Sequence, residues 1–497
     1  MKFLLLLAAS LATASADVWT DAFTLESTPI PAGIDPQIGG LDTLPDGRLA
    51  VCFHRGEVLI YNPADQSWTP FAQGLHEPLG IIAESATSMV VMQRPELTRL
   101  RDTDGDGRAD DYETIYDGFG MTGNYHEFAF GPARDKDGNF YVALNVASNG
   151  AGIRKEIRGD WTSIGVPRET MDNSDGQWGR FKDKAGRMYS RAAYRGWVMR
   201  ISPDGKTVTP FADGFRSPDG IGIDAEGRLL VTDNQGDWRG TSPLYHVEQD
   251  KFYGHPASLV WRSAWTRNPL EVPVPELEAL RTPAIGLFPQ GELANSPTQP
   301  IAIPADTFGP FAGQTLIGEM NQPTLVRFLP DPLDGISQGT LVPFLQSKNL
   351  GIGNHRLTFT PDGALWIGKT HLSWAGAQGL VKVTLKDKHP FAIDSVHLLK
   401  DGFEVRLTEP LDPASAKDLA LTSHRYLYHA TYGSPKVDEQ TLSITSTTVS
   451  PDHRTVILKA DGLREGHLHV LNLKFLKSTD GKPLLGDLAY YQLTKKR

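Results

Sequence analysis

RGWVMRISPDGKTVTPFADGFRSPDGIGIDAEGRLLVTDNQGDWRGTSPLYHV, residues 195–247, alternates short β-type runs with turn signals. The runs are GWVMRIS, TVTPFA, GIGID, RLLVTDN and SPLYHV, and the turn dipeptides are Asp204-Gly205, Asp219-Gly220 and Glu226-Gly227. Successive antiparallel strands joined by tight hairpins read this way. One such unit cannot bury its apolar face alone, and partial copies of it run from about residue 41 to 385, so the chain reads as a radial repeat.

The copies open at Leu41, Leu79, His126, Gly220, Phe308 and Arg356. A spacing of roughly 40 to 50 residues is that of a four-stranded propeller blade. The expectation is an all-β chain with a six-bladed β-propeller at residues 17–385. A run from Trp178, WGRFKDKAGRMYS, makes seven blades the alternative; it reads better as an insertion, because the unit opened at His126 takes its outer strands from GWVMRIS and TVTPFA. Residues 147–188 and 254–304 are oversized loops, of the kind that form lids or walls. Beyond residue 385 the runs FEVRL, TLSITSTTV, TVILKA and HVLNLKF predict a small, immunoglobulin-like β-sandwich at residues 386–497, without a cysteine pair.

Composition narrows the function classes. With 40% apolar and 22% charged residues the chain is of the soluble globular type, and 49 Gly with 35 Pro disfavour helical bundles. A net charge of −10 without a dense Lys/Arg cluster argues against nucleic acid and anionic membranes as partners, and favours a small neutral or polar ligand. Met1-Lys2, a short apolar core and an Ala-Ser-Ala end read as a signal peptide over residues 1–16, too short to be a transmembrane segment, so a secreted or periplasmic location is expected. The single cysteine, Cys52 in LAVCF, reads as a buried structural thiol, and no Cys-x-x-Cys-His is present for covalent haem.

The strongest local motif is DTDGDGRADDYE, residues 102–113, with the D-x-D-x-D-G-x5-E spacing of a calcium loop. Asp102, Asp104 and Asp106 offer hard oxygens at alternate positions, Gly107 permits the turn, and Arg108 supplies a carbonyl. Asp110 acts through water and Glu113 closes the shell, so Ca2+ is the implied ion. Strand-like flanks make this a loop stapled by calcium and not a sensor helix pair.

In an antiparallel hairpin the start of the first strand and the end of the second share one rim. That rule gathers His126, Arg216 and Arg356 on one side. On the other it gathers His54, Arg55, Gln93, Arg94, Asn145, Asp233, Asn234, Gln235, Glu319, Asn321, Gln322, Lys369 and His371. Convergent polar groups at a concavity form the default site. His246 and His255 read as structural.

Over residues 35–385 the chain resembles the six-bladed quinoprotein glucose/sorbosone dehydrogenase group, most of all the secreted propellers of planctomycete-type membrane-bound dehydrogenases. The blocks LRDTDGDGRADDYE, NYHEFAFGP, DKDGNFYVALN, FRSPDGIGIDAEGRLLVTDNQGDW, YGHP and GNHRLTFTPDGALWIG carry the likeness. The resemblance implies pyrroloquinoline quinone (PQQ), with His126 as base toward a sugar hydroxyl and Arg216 and Arg356 on the quinone carboxylates. Asp233 joins His126 and Arg216 as a catalytic candidate, and Asn321 and Lys369 join the arginines as cofactor candidates. Ser217 departs from the family's Asn, Asn321 falls near a family Lys, and Asn354 replaces a second Arg.

Three readings follow: a PQQ-dependent sugar or alcohol dehydrogenase acting on a sugar or polyol with a separate electron acceptor, a metal-dependent lactonase or other carbohydrate-active hydrolase whose ion sits on Glu319, Asn145 and Asp233, and a non-catalytic carbohydrate- or protein-binding propeller.

Overall fold

The computed structural model describes residues 17–148, 158–162, 164, 188–371, 376–386 and 389–497. The signal peptide read at residues 1–16 lies outside them, as does most of the long insertion at 147–188. The described chain is all-β. Its first four-stranded sheet runs Ile38–Thr43, Leu49–Phe53, Val58–Asn62 and Ser67–Ala72 in chain order. The second holds Ile81–Ala83, Ser88–Met92, Leu97–Arg101 and Asp111–Tyr116.

The third sheet pairs Ala129–Arg134 and Phe140–Leu144 with Trp197–Ile201 and Val208–Asp213, across the insertion. Met188–Tyr189, from the end of the WGRFKDKAGRMYS run, pairs instead with Ala147–Ser148 in a separate two-stranded ribbon. The fourth sheet runs Pro218–Ile223, Leu229–Asp233, Ser242–His246 and Gly286–Phe288, and the fifth Pro297–Ala302, Thr315–Glu319, Leu325–Pro330 and Gly339–Phe344. In the sixth, Asn354–Phe359, Leu365–Lys369 and Gly379–Leu385 are joined by the N-terminal strand Phe23–Thr28.

The first strands of these sheets touch one another in chain order, and that of the sixth touches that of the first. Their backbones approach so closely that side chains are excluded: a Cβ on Gly80 would fall 1.7 Å from the Gly131 carbonyl oxygen, and one on Gly222 would fall 1.9 Å from that of Pro300.

Four points differ from the sequence reading. Asp219-Gly220 is not a hairpin turn; both residues lie within Pro218–Ile223, where the register with the next strand slips between Pro218 and Gly220. Asp204-Gly205 and Glu226-Gly227 do turn, with both glycines at positive φ. The fifth sheet begins at Pro297 and not at Phe308, which caps a 3-10 turn; two prolines in PTQPIA disguise a strand that pairs with Thr315–Glu319. Gly286–Phe288 and Pro297–Ala302 both fall in the stretch read as one long loop, and the pairing of Phe23–Thr28 across the whole repeat had no local signal.

Two more four-stranded sheets follow. One orders Ile393–Leu399, Gly402–Leu407, Thr455–Ala460 and Ile444–Val449, and the other orders Leu488–Leu493, His467–Asn472, Ala420–Arg425 and Val437–Leu442. They share a core in which Val396, Phe403 and Val456 from the first meet Leu421, Leu471 and Tyr491 from the second. Leu488–Leu493 also pairs with Gly339–Phe344, and Glu319 with Asn354, so this layer and the fifth and sixth four-stranded groups form one continuous twelve-stranded sheet. Cys52 is buried and its thiol is pushed up to about 12 by burial, in keeping with a structural role.

The glycine contacts make a direct prediction. Gly80→Ala forces a Cβ against a fixed carbonyl, and such overpacking costs about 1–3 kcal/mol or more. Denaturant unfolding should show that loss, whereas Gly227→Ala, with open space round its Cβ, should show only the cost of its positive φ.

Candidate functional site

His126 and Arg216 line one cavity of about 140 Å³, together with Asn145, Ser217, Asp219, Asn234, Gln235 and Ser296 and the rings of Tyr125, Phe128, Phe130 and Tyr432. The strand ends deliver these groups. His126 precedes Ala129–Arg134, and the Asn124 Oδ1 accepts its backbone N–H at 3.0 Å. Asn145 follows Phe140–Leu144, and Arg216 precedes Pro218–Ile223. The N–H of Val146 donates to the Arg216 carbonyl at 3.1 Å, which ties the third and fourth sheets at this rim.

The imidazole of His126 has a defined tautomer. Its Nδ1 lies 2.8 Å from the Val146 carbonyl oxygen, which can only accept, so Nδ1 carries the hydrogen and Nε2 is left with a lone pair. Burial, reinforced by the Arg216 charge, lowers its pKa to about 4. The ring is therefore neutral at physiological pH and able to take a proton from a ligand hydroxyl. Asn145 is buried, its Nδ2 donates to Ser217 Oγ at 3.3 Å, and its Oδ1 has no partner within the protein. A buried carbonyl without a donor is the feature a ligand hydroxyl would satisfy.

Arg216 is held from behind. Its Nε donates to Asp237 Oδ1 at 2.8 Å, and Asp237 Oδ2 lies 3.2 Å from Nε2 of the buried His255. Burial opposes the Asp237 charge, but His255 and Arg216 outweigh it and keep the carboxyl well below the usual range. His255 accepts the N–H of Ala257 on Nδ1, consistent with a supporting role. A Cβ on Gly236 would fall 2.0 Å from Arg216 Nε, so the glycine of DNQGDW is what lets the guanidinium lie on this loop.

The other candidates are placed differently. Asp233 is fully buried: Oδ1 accepts the N–H groups of Ser217 and Asn234, and Oδ2 those of Arg216 and the Arg239 side chain. Glu319 likewise accepts the N–H groups of Ser296, Asn321 and Gln322, and burial raises its pKa to about 7. Each carboxylate caps the end of its strand. Asn321 sits in the turn after Glu319, outside the cavity lining. Arg356 is buried beneath Phe130 and gives its donors to the carbonyls of Leu79, Asp219 and His355. Lys369 donates to the carbonyls of Leu350 and Ile352 and to Asn354 Oδ1, and burial lowers its pKa to about 7.

The rim rule missed Asp219, whose carboxylate meets His355 Nε2 at 3.0 Å, and Ser296, which donates to Asn234. Tyr125 stood beside His126 in the NYHEF block. Tyr432 comes from the C-terminal segment, and no local pattern points to it.

In the acidic loop, carboxylate oxygens of Asp102, Asp104 and Asp106 lie within 4.8 Å of one another. Asp102 accepts the N–H groups of Gly105 and Gly107, and Asp106 that of Arg108. Asp110 turns to the N–H and hydroxyl of Thr103, while Glu113 pairs with Arg99 and Arg101 on the neighbouring strand. Three of the five carboxylates thus converge.

Following the His126 ring by NMR through a pH titration should give a pKa near 4, against ~6.5 for a free imidazole. Arg216→Met removes the second cause of the shift, so the value should rise. A wild-type value at or above 6.5 would contradict the neutral tautomer.

A family model described as a domain of unknown function (DUF7133) matches residues 64–209. No curated protein matches the chain. Among solved structures the chain is similar to the soluble aldose sugar dehydrogenase of Escherichia coli in its apo form, at 14% identity and TM-score 0.48, covering 73% of this chain and 100% of that one. It is also similar to the PQQ-bound aldose sugar dehydrogenase of Streptomyces coelicolor (16%, TM-score 0.46, 73% and 98%) and to the holo PQQ domain of pyranose dehydrogenase from Coprinopsis cinerea (11%, TM-score 0.47, 73% and 95%).

Proposed function

We propose that residues 17–385 form a six-bladed propeller, capped by a C-terminal sandwich, whose rim cavity binds a sugar or polyol, and that the protein is an exported dehydrogenase of the quinoprotein sugar type. The observation that carries this reading is the neutral Nε2 of His126 in one cavity with the Arg216 guanidinium and the unpartnered carbonyl of Asn145. Six successive four-stranded groups, the last two joined in one larger sheet, whose first strands touch in order support the propeller. In this site Asn145 Oδ1 accepts one ligand hydroxyl and orients its neighbour toward His126, which takes the proton as the C–H bond is oxidised.

PQQ, when bound, would supply the hydride acceptor. The residues present fit it at one carboxylate, through Arg216, because Arg356 and Lys369 spend their donors on protein oxygens. Each missing charged hydrogen bond costs about 1.5–3 kcal/mol, so affinity should be micromolar and not nanomolar. The lactonase reading is less well supported: Asp233 and Glu319 already accept backbone N–H groups, which leaves Asn145 as its one cavity-lining ligand.

Dye reduction by protein reconstituted with PQQ and calcium, over a panel of aldoses and polyols, tests the proposal. Activity should fall about 10²–10⁴-fold in His126→Ala. Absence of saturable PQQ binding at hundreds of micromolar would overturn the dehydrogenase reading, and sugar binding without turnover would leave a carbohydrate-binding propeller.

The converging carboxylates of Asp102, Asp104 and Asp106 support one calcium per chain in the acidic loop. At 100 times its Kd such an ion stabilises the fold by about 2.7 kcal/mol. Chelation should lower the thermal midpoint accordingly, and Asp104→Asn should abolish that response without changing sugar affinity. A metal content of zero after dialysis against calcium buffer would refute the site.

A further inference from the structure

Among the described residues, Tyr432 is the one in the cavity wall that comes from beyond residue 385. It sits between the strands Ala420–Arg425 and Val437–Leu442, in a connection that leaves its own sheet to pair with the loop carrying Asp237. The N–H of Gly433 donates to the Gly236 carbonyl at 2.9 Å, that of Trp238 to His429 at 3.0 Å, and that of Ser434 to Gly240 at 2.9 Å. Tyr428 anchors the same segment, its ring 5.1 Å from that of Trp238 and its hydroxyl donating to the Gly254 carbonyl. The backbone is thus clamped on both sides of Tyr432. Its side chain is nonetheless 43% exposed, and its ring lies 5.5 Å from the Arg216 guanidinium carbon. Across the chain, Tyr125, beside His126, also lines the cavity and is 49% exposed.

We infer that Tyr432 is a specificity-determining residue: the C-terminal segment completes the ligand site with an aromatic face that selects cyclic sugars over open-chain polyols. The inference rests on the sugar or polyol reading of the cavity and narrows it. A pyranose presents an apolar C–H face that a flat ring can cover while the hydroxyls at its edge meet His126, Asn145 and Arg216; an extended polyol has no such face. A fixed backbone holding an exposed ring beside a buried cation is a poor solution for packing alone, because the ring forfeits burial it could have had elsewhere.

Calorimetric titration of the full chain with D-glucose and with D-sorbitol, in wild type, Tyr432→Leu and Tyr432→Phe, tests this. Tyr432→Leu keeps apolar bulk and removes the flat face; the Kd for glucose should rise about tenfold, the equivalent of 1.4 kcal/mol, while that for sorbitol stays within twofold. Tyr432→Phe should restore glucose binding. In dye-reduction assays the loss should fall on KM and leave kcat unchanged. Unchanged glucose affinity in Tyr432→Leu, or an equal loss for both ligands, would overturn the inference while leaving the sugar site in place. Failure of the wild type to bind either ligand would overturn the underlying reading instead.

Discussion

The carboxylate of Asp237 is the joint on which the site depends. An ionised carboxylate in a buried position is costly unless it is paired, and here it is paired twice, to Arg216 on one oxygen and to His255 on the other. Removing one partner of such a buried pair costs about 3–5 kcal/mol, since it strands the other charge. The same residue acts through its backbone: Asp237 bridges Tyr432, so the peptide that fixes the cavity cation also docks the C-terminal segment. Gly236 makes this possible, because any larger residue there would occupy the space of the guanidinium. Cation, counter-ion, aromatic wall and the contact with the C-terminal segment are therefore one structural unit, placed by the loop that follows Leu229–Asp233.

Carboxylates at the neighbouring strand ends do other work. Asp233 and Glu319 stand at equivalent positions of the fourth and fifth sheets, and both turn inward to accept backbone N–H groups from the segments that leave or enter their strands. A rim position read from a repeat fixes where a Cα lies, but not which way the side chain turns or what it finds there. This is why one rule gathered His126, Asn145 and Arg216 into a cavity and also named Asp233, Arg356 and Lys369, whose polar atoms are engaged within the protein.

What was legible in the sequence was periodic. Hairpin chemistry and alternating apolar runs marked most strands of the six sheets, including the pairing across the insertion, where GWVMRIS and TVTPFA join the strands opened near His126. What was not legible was non-local or disguised. Phe23–Thr28 pairs with a strand more than 350 residues away, PTQPIA hides a strand behind prolines, and Tyr432 reaches the cavity from outside the repeat. None of these leaves a local signature: the first and the last depend on partners distant in sequence, and the second is a strand written with prolines.

The charges round the cavity bear on what it holds. Arg216 is matched by Asp237, Arg239 by Asp233, and the Asp219 carboxylate faces His355. These pairs are satisfied before a ligand arrives, so an incoming charge would have to break one of them or remain uncompensated in a partly desolvated site. An uncharged ligand rich in hydroxyls meets no such penalty. It can donate to Asn145 and to the lone pair of His126 and accept from Arg216 without displacing Asp237. The same balance would make a tricarboxylate cofactor a demanding occupant: one carboxylate would share Arg216 with Asp237, and the others would face donors on Arg356 and Lys369 already committed to protein oxygens. The neutrality of His126 belongs to this pattern, since a protonated imidazole beside Arg216 would add an unmatched cation to a wall whose other charges are closed.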